Sequence, residues 1–336
     1  MKTYGSFLNA AATYNHLEVF EILLEKEERV LVLEQALQAA AQRGYDAIVK
    51  AVLEKELKVP SCIIRYQRAF SLAALYGRTE VLKLLYPKGI DQAQLDEAMY
   101  QATDNEHLET VKLLLDFGAN PDTEGPTYGF ALAASAYDGT TDIMKALLDK
   151  GANVNKRGGD YCTCIQAAAW FGDADNVRLL LERGAQLNTE PTGYYGTELQ
   201  AAVYTGDEDT IRLLIEKGAD VNAFGGHFSY AIVAAVEQGD STATKILFEH
   251  GANVNVRGGE DNWPVISLAA STLLTEDLEL LLQNVNDINA ACARGTTALI
   301  NCADACDADG LRFLISHNAD VHISSDKYGT ALHAAA

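Results

Sequence analysis

A Gly-Ala pair returns at Gly118, Gly151, Gly184, Gly218 and Gly251, in steps of 33 or 34 residues. Between one pair and the next, the order of words is constant. From Gly151 it runs through Asn153 and Asn155, a Gly158-Gly159 pair, the small-residue run Ile165 to Ala169, Gly172, and the leucines Leu179 to Leu181. A fixed period of this length marks a stack of supersecondary units, none of which buries its own apolar face alone. The 336 residues therefore measure a number of repeats rather than a number of domains.

Each recurring residue type has a physical task. Ala167, Ala168 and Ala169 keep a first helix thin so that the next repeat can stack closely, and Leu179, Leu180 and Leu181 on a second helix supply the apolar bulk. Gly172 and Gly184 stand where left-handed backbone must end a helix and turn the chain. Asn153 and Asn155 are expected to bond their own backbone in the outgoing turn, and Gly158-Gly159 to permit a hairpin tip. Thr197 and Thr330 are placed to cap the following first helices. The pattern predicts an all-α array of helix-turn-helix repeats joined by short β-hairpin loops.

Wording divides the chain into three parts. Residues 1–92 hold three worn repeats, whose links around Glu27-Glu28-Arg29 and Lys58-Val59-Pro60 are expected to be irregular. Residues 93–322 hold seven regular repeats, although the ninth of the array has Leu273 for the mid-repeat glycine and Val285-Asn286 for Gly-Ala. Residues 323–336 start a further repeat that stops after its first helix, so the array is expected to continue past Ala336.

Thr330-Ala331-Leu332-His333, the Leu-Leu pairs and Gly218-Ala219-Asp220-Val221-Asn222 resemble the ankyrin repeat family over nearly the whole chain. The Tyr195-Gly196-Thr197 to Ala202 wording is similar to ankyrin tails of fungal proteins, including those of NACHT-type signalling ATPases. The resemblance implies a solenoid of about ten repeats with a concave groove, and non-catalytic recognition or scaffolding of protein partners. The family's Thr-Pro-Leu-His has Ala331, Glu198 or Cys164 in place of Pro, and most repeats lack the His. One inter-repeat hydrogen-bond network is therefore expected to be weaker.

In the family, the two positions before the mid-repeat glycine face the inner surface, where partners dock. Here they include Tyr14, Tyr76, Tyr137, Trp170, Phe171, Tyr204 and Glu237, and Tyr137, Trp170, Phe171 and Tyr204 are expected to make one aromatic strip. Exposed aromatic clusters concentrate binding energy. Asp104, Asp138, Glu237 and Asp304 would flank that strip and suit Lys or Arg on a partner's rim. The hairpin tips form a second surface, with Arg157, Phe224, His227 and Arg257. Tyr128, Tyr161, Tyr195, Phe228, Trp263 and Tyr328 recur near the turn and are expected to pack under the tips.

With 47 acidic against 26 basic residues, the net charge of -21 repels nucleic acid and anionic membranes and favours a basic or neutral protein or peptide. Six cysteines without a framework point to a reduced, intracellular setting, and no signal or membrane segment is present. No phosphate loop occurs. Neither Cys162 with Cys164 nor Cys302 with Cys306 has the second ligand pair that a zinc site needs, and repeat register accounts for His317 and His333. These features predict a monomeric interaction module without catalysis, metal or cofactor, acting as the sensing tail of a larger protein. The alternative is an enzyme or small-molecule binder with a pocket in the divergent repeats around 262–306, near Trp263, Cys292 and Cys302.

Overall fold

The structure, a computed structural model, describes residues 2–27, 29–58, 64–159, 163–259, 262–272 and 275–336, with the side chains of 2–6, 56–58, 271 and 275–277 excepted. Glu28, Val59, Pro60, Tyr161, Cys162 and Leu273, named above, lie outside these residues, as does Cys62, one of the six cysteines. Two units follow one another, residues 1–153 and 154–336.

In the first unit, α1 (Lys2–Thr13), α3 (Val30–Arg43), α5 (Gln67–Leu75), α7 (Gln92–Asp104) and α9 (Ala131–Tyr137) are the first helices of five pairs. Their partners are α2 (Leu17–Leu24), α4 (Asp46–Lys58), α6 (Thr79–Leu85), α8 (Leu108–Asp116) and α10 (Thr141–Asp149). First helices pack on first helices and second on second, each against the neighbouring repeat. A hairpin of β1 (Glu124–Gly125) and β2 (Gly129–Phe130), with Glu124 opposite Phe130, precedes α9.

The second unit repeats the scheme with first helices α11 (Cys164–Phe171), α13 (Glu198–Thr205), α15 (Ala231–Glu237), α17 (Val265–Thr272), α19 (Ala298–Asp304) and α21 (Ala331–Ala334). Their second helices are α12 (Ala174–Glu182), α14 (Glu208–Glu216), α16 (Ser241–Glu249), α18 (Thr275–Leu282) and α20 (Ala308–Ser316). A second antiparallel hairpin pairs β3 (Arg257–Gly258) with β4 (Trp263–Pro264). The described residues thus hold ten helix pairs and the start of an eleventh, a helix-rich ankyrin-type array.

Local chemistry sets the boundaries. Gly172 and Gly206 end α11 and α13 with φ of +78° and +74°, and Asp173 and Asp207 immediately cap α12 and α14 through Asn176 N–H and Thr210 N–H. At Asn15, Glu106 and Cys306 the same left-handed turn is made by a residue with a side chain. Ala167 to Ala169 and Ala201 to Ala202 are wholly buried, as are Leu180, Leu214 and Leu247, so small first helices and leucine-bearing second helices share each joint.

The asparagines behave differently from the sequence expectation. Asn155 bonds the next repeat rather than its own turn: its Oδ1 accepts Gln186 N–H at 2.9 Å and its Nδ2 donates to Gly184 O at 2.9 Å. Asn188, Asn222 and Asn255 repeat this clamp on Gly218, Gly251 and Asn284. Own-backbone bonding is found two residues earlier in the phrase, at the register of Asn153, where Asp220 and Asn253 accept N–H groups two residues on. The missing histidines are partly replaced too. Gln166 Nε2 donates to Gly196 O at 2.9 Å, and Gln200 Nε2 to Ser229 O at 3.4 Å, so glutamine reaches the next hairpin.

Thr210 and Thr244, one repeat apart on α14 and α16, are fully buried, and neither hydroxyl finds a hydrogen-bond partner among the described residues. A buried hydroxyl left unsatisfied costs free energy that an apolar isostere avoids. Thr210→Val is expected to stabilise the second unit by about 1 kcal/mol. A lower urea midpoint for the variant would contradict this.

Candidate functional site

The hairpins before α13 and α15 are narrow, each held by one bridge, Thr192 to Gly196 and Gly225 to Ser229. Their backbones meet: His227 N–H donates to Tyr194 O at 2.7 Å. A Cβ on Gly196 would lie 2.5 Å from Gly225 C, so glycine is needed here for contact between tips as well as for turning. This close approach brings the rings of two repeats together.

Tyr194 stacks on His227 with centroids 4.9 Å apart and planes 13° from parallel. Phe228 lies edge-on to both, and is 3% exposed. Tyr204, from the end of α13, joins from below, 5.2 Å from Tyr195 and 5.6 Å from Phe228. Phe224 leans on Tyr230 at 5.3 Å. Four of these rings stay open to solvent: Tyr194 is 52% exposed, Tyr204 38% and Phe224 65%, and His227 is exposed as well. The arrangement joins a helix-end residue to the tips, which the sequence treats as separate surfaces.

Tyr194 is absent from the sequence-derived set. The Tyr194-Tyr195 doublet was visible, but periodicity picked out Tyr195 alone as the recurring tip aromatic. Tyr195 is half-buried under the tip, in keeping with that role, and its neighbour in the chain faces outward.

The other candidate residues separate. Phe171, 47% exposed, lines an open cleft of about 610 Å³ with Asp173, Asp175, Arg178, Asp209 and Arg212, whereas Tyr204 belongs to the hairpin rings. Trp170 is half-buried. Glu237 is half-buried, with its carboxylate against Gly259 of the next hairpin. Arg157 and Arg257 share one register and one task. Arg157 donates to the Glu190 carbonyl and, at 3.2 Å, to Thr192 Oγ1, and Arg257 donates to Ala291 O at 2.7 Å. Each arginine straps its hairpin to the following one.

In the first unit Tyr76 is exposed at the end of α5, and Tyr137 stacks on Tyr128 at 4.5 Å. Carboxylates crowd this pair. Burial, then Glu106 and Asp104, pushes the Asp138 carboxyl up to about 6, and burial raises Asp104 as well. Burial and the charge of Asp138 push the Tyr128 phenol up to about 12. Because the folded state holds the Asp138 proton more tightly than the unfolded chain, ionisation destabilises the fold. That cost is present above pH ~6 and disappears as pH falls through the folded value toward the unfolded one. Asp138→Asn is therefore expected to stabilise the first unit at pH ~7.5 by about 1 kcal/mol, after allowance for solvent screening at a half-exposed group. Melting curves at pH ~4.5 should show less than half that gain. A pH-independent gain would mean that charge is not its cause.

The cysteines are poorly suited to chemistry. Cys164 Sγ donates to Val154 O at 3.0 Å and Cys302 Sγ to Ala270 O at 3.2 Å, and burial pushes both thiols up to about 12. Among the described residues no group of three or more His, Cys, Asp or Glu is placed to hold a metal ion, and no helix is long and apolar enough to cross a membrane. In the divergent ninth repeat, a cleft of about 210 Å³ beside Val254, Pro264 and Ile266 carries Arg257 and Asp287 as its ionisable groups.

The sequence model of a family described as ankyrin repeats (3 copies) matches residues 7–96, 37–125, 99–191, 130–225, 166–258 and 199–292. A solved structure, the crystal structure of human ASB11 ankyrin repeat domain, is 23% identical, with a TM-score of 0.54, over 65% of this chain and 98% of that one. At this identity the likeness concerns the fold. No curated protein matches the sequence. Ankyrin repeats generally mediate protein–protein interaction and are typically non-catalytic binding modules. With overlapping family matches spanning residues 7 to 292, on stacked helix pairs linked by narrow hairpins, this chain belongs to the ankyrin repeat family.

Proposed function

We propose that the chain is a non-catalytic recognition module that binds a protein or peptide partner through the hairpin tips and adjoining helix end of its second unit. The observation that supports this reading is the open ring cluster of Tyr194, Tyr204 and His227, built from two repeats and held by backbone contact between tips, with Phe224 exposed on the same hairpin as His227. Rigid, exposed aromatic rings supply large contact area at low entropic cost, the usual chemistry of binding hot spots. The net charge of -21 favours a basic or neutral partner over nucleic acid, and the thiols fit a reducing intracellular setting. A monomeric scaffolding or sensing role follows from the same features.

Affinity capture from cell extract, with the chain carrying Tyr204→Ser and Phe224→Ser compared with wild type, tests the reading. Loss of a hot-spot ring costs about 2 kcal/mol, so the double variant is expected to retain roughly 0.1 per cent of the wild-type affinity for the captured protein. Phe171→Ser, away from the cluster, is expected to keep it. An unchanged set of captured proteins would assign binding to another surface.

A further inference from the structure

Resting on the protein-binding reading, the geometry points to the chemistry of the partner's anchor: we propose that a cationic side chain, with arginine the better fit, seats on the Tyr194–His227–Tyr204 rings. Three observations carry it. The first is shape. Tyr194 and His227 stack, so each is left with one flat outer face, and the buried Phe228 ring stands edge-on to both, at 87° to Tyr194 and 83° to His227. A planar guanidinium stacks on such a face, whereas a compact ammonium meets it only as a point charge.

The second is charge. The two hairpins, residues 188–198 and 222–230, contain no Lys or Arg. Glu190 is exposed on one of them. Arg157, the cation that reaches this region from the preceding hairpin, donates to the Glu190 carbonyl and the Thr192 hydroxyl. A cation from outside would meet rings on two hairpins without Lys or Arg, in a chain of net charge -21.

The third is a precedent inside the chain. In the eleventh repeat the register of Tyr194 and His227 is occupied by Lys327, and that of Tyr195 and Phe228 by Tyr328. There the Lys327 ammonium lies 4.3 Å from the centre of the Tyr328 ring and donates a hydrogen bond to its hydroxyl. A tip tyrosine of this array thus already accepts a cation, supplied in cis. At the 194 and 227 tips the same position carries a ring, and the cation is left for the partner to bring.

A displayed random-peptide library panned against the full chain tests the inference. Enrichment of peptides with an arginine or lysine is expected. A synthetic copy of the best binder should lose roughly tenfold in affinity when that residue is replaced by citrulline, or by glutamine for lysine. Tyr194→Leu with Tyr204→Leu keeps apolar volume and removes the π faces, and should cost a similar factor while leaving the melting curve unchanged. Binders without a cation, or binders that hold equally well to the leucine variant, would overturn the cationic anchor while leaving the wider protein-binding reading intact. A wild-type chain that enriches no peptide would overturn it as well.

Discussion

Gly226→Ala is expected to destabilise the second unit by about 3 kcal/mol, far more than the loss of a turn glycine alone. Gly226 has φ +64°, where a side chain is strained by about 1 kcal/mol. In addition, its Cβ would come within 2.5 Å of Gly196 N in the adjacent hairpin. That neighbour has little freedom to retreat, because His227 N–H is bonded to Tyr194 O and Gly196 O accepts from Thr192 N–H and Gln166 Nε2. Gly218→Ala supplies the control: its φ is +95°, but a Cβ there meets nothing within 4 Å, so only the backbone strain of about 1 kcal/mol applies. Urea unfolding of both variants separates the two causes. Equal losses would show that contact between tips contributes nothing. Because the same contact aligns Tyr194 with His227, Gly226→Ala should also weaken partner binding.

Ala202→Leu is expected to cost about 3 kcal/mol, at the upper end for an overpacked core. Ala202 is wholly buried on α13, which packs on α11 on one side and α15 on the other. Both neighbouring helices present small residues, Ala167 to Ala169 and Ala234 to Ala235, all without exposure. A leucine inserted there pushes apart first helices whose spacing is also set by the Gln200 and Asn188 bonds to the next repeat. The reciprocal change, Leu214→Ala on the second helix, leaves a cavity and should cost a similar 2–4 kcal/mol or about that. Thermal melts of the two variants check the division of labour between thin and bulky helices. A neutral Ala202→Leu would mean that the joint is loosely packed.

Much of the site's scaffolding was legible because it depends on chemistry within a few residues. Gly172 ends its helix in left-handed backbone, Thr197 caps α13 through Gln200 N–H, and the alanines Ala167 to Ala169 are wholly buried, whereas of Leu179 to Leu181 only Leu180 is buried and its two neighbours are half-buried. The asparagines were half legible. An Asn side chain can satisfy its own turn or a neighbour's connector, and residue type alone does not choose between them. In Asn155, Asn188, Asn222 and Asn255 the next repeat wins, because the period sets its Gly-Ala connector within reach. Arg157 and Arg257 depend on the neighbour in a related way: an arginine on a tip looks unengaged in sequence, and the following hairpin offers it carbonyl acceptors.

The ring cluster shows the boundary between the two kinds of information. By itself the sequence determined the repeat length, the alternation of thin and bulky helices, the turn positions and the inventory of aromatic residues, since periodicity and backbone preference act along the chain. Only the tertiary structure decided which rings share a surface, gathering Tyr194, Tyr204 and His227 while turning Phe171 toward the α12 and α14 cleft. The physical reason is that a ring's direction depends on the backbone of the neighbouring repeat against which it packs, and that neighbour's hairpin is positioned by contacts some 33 residues away in sequence.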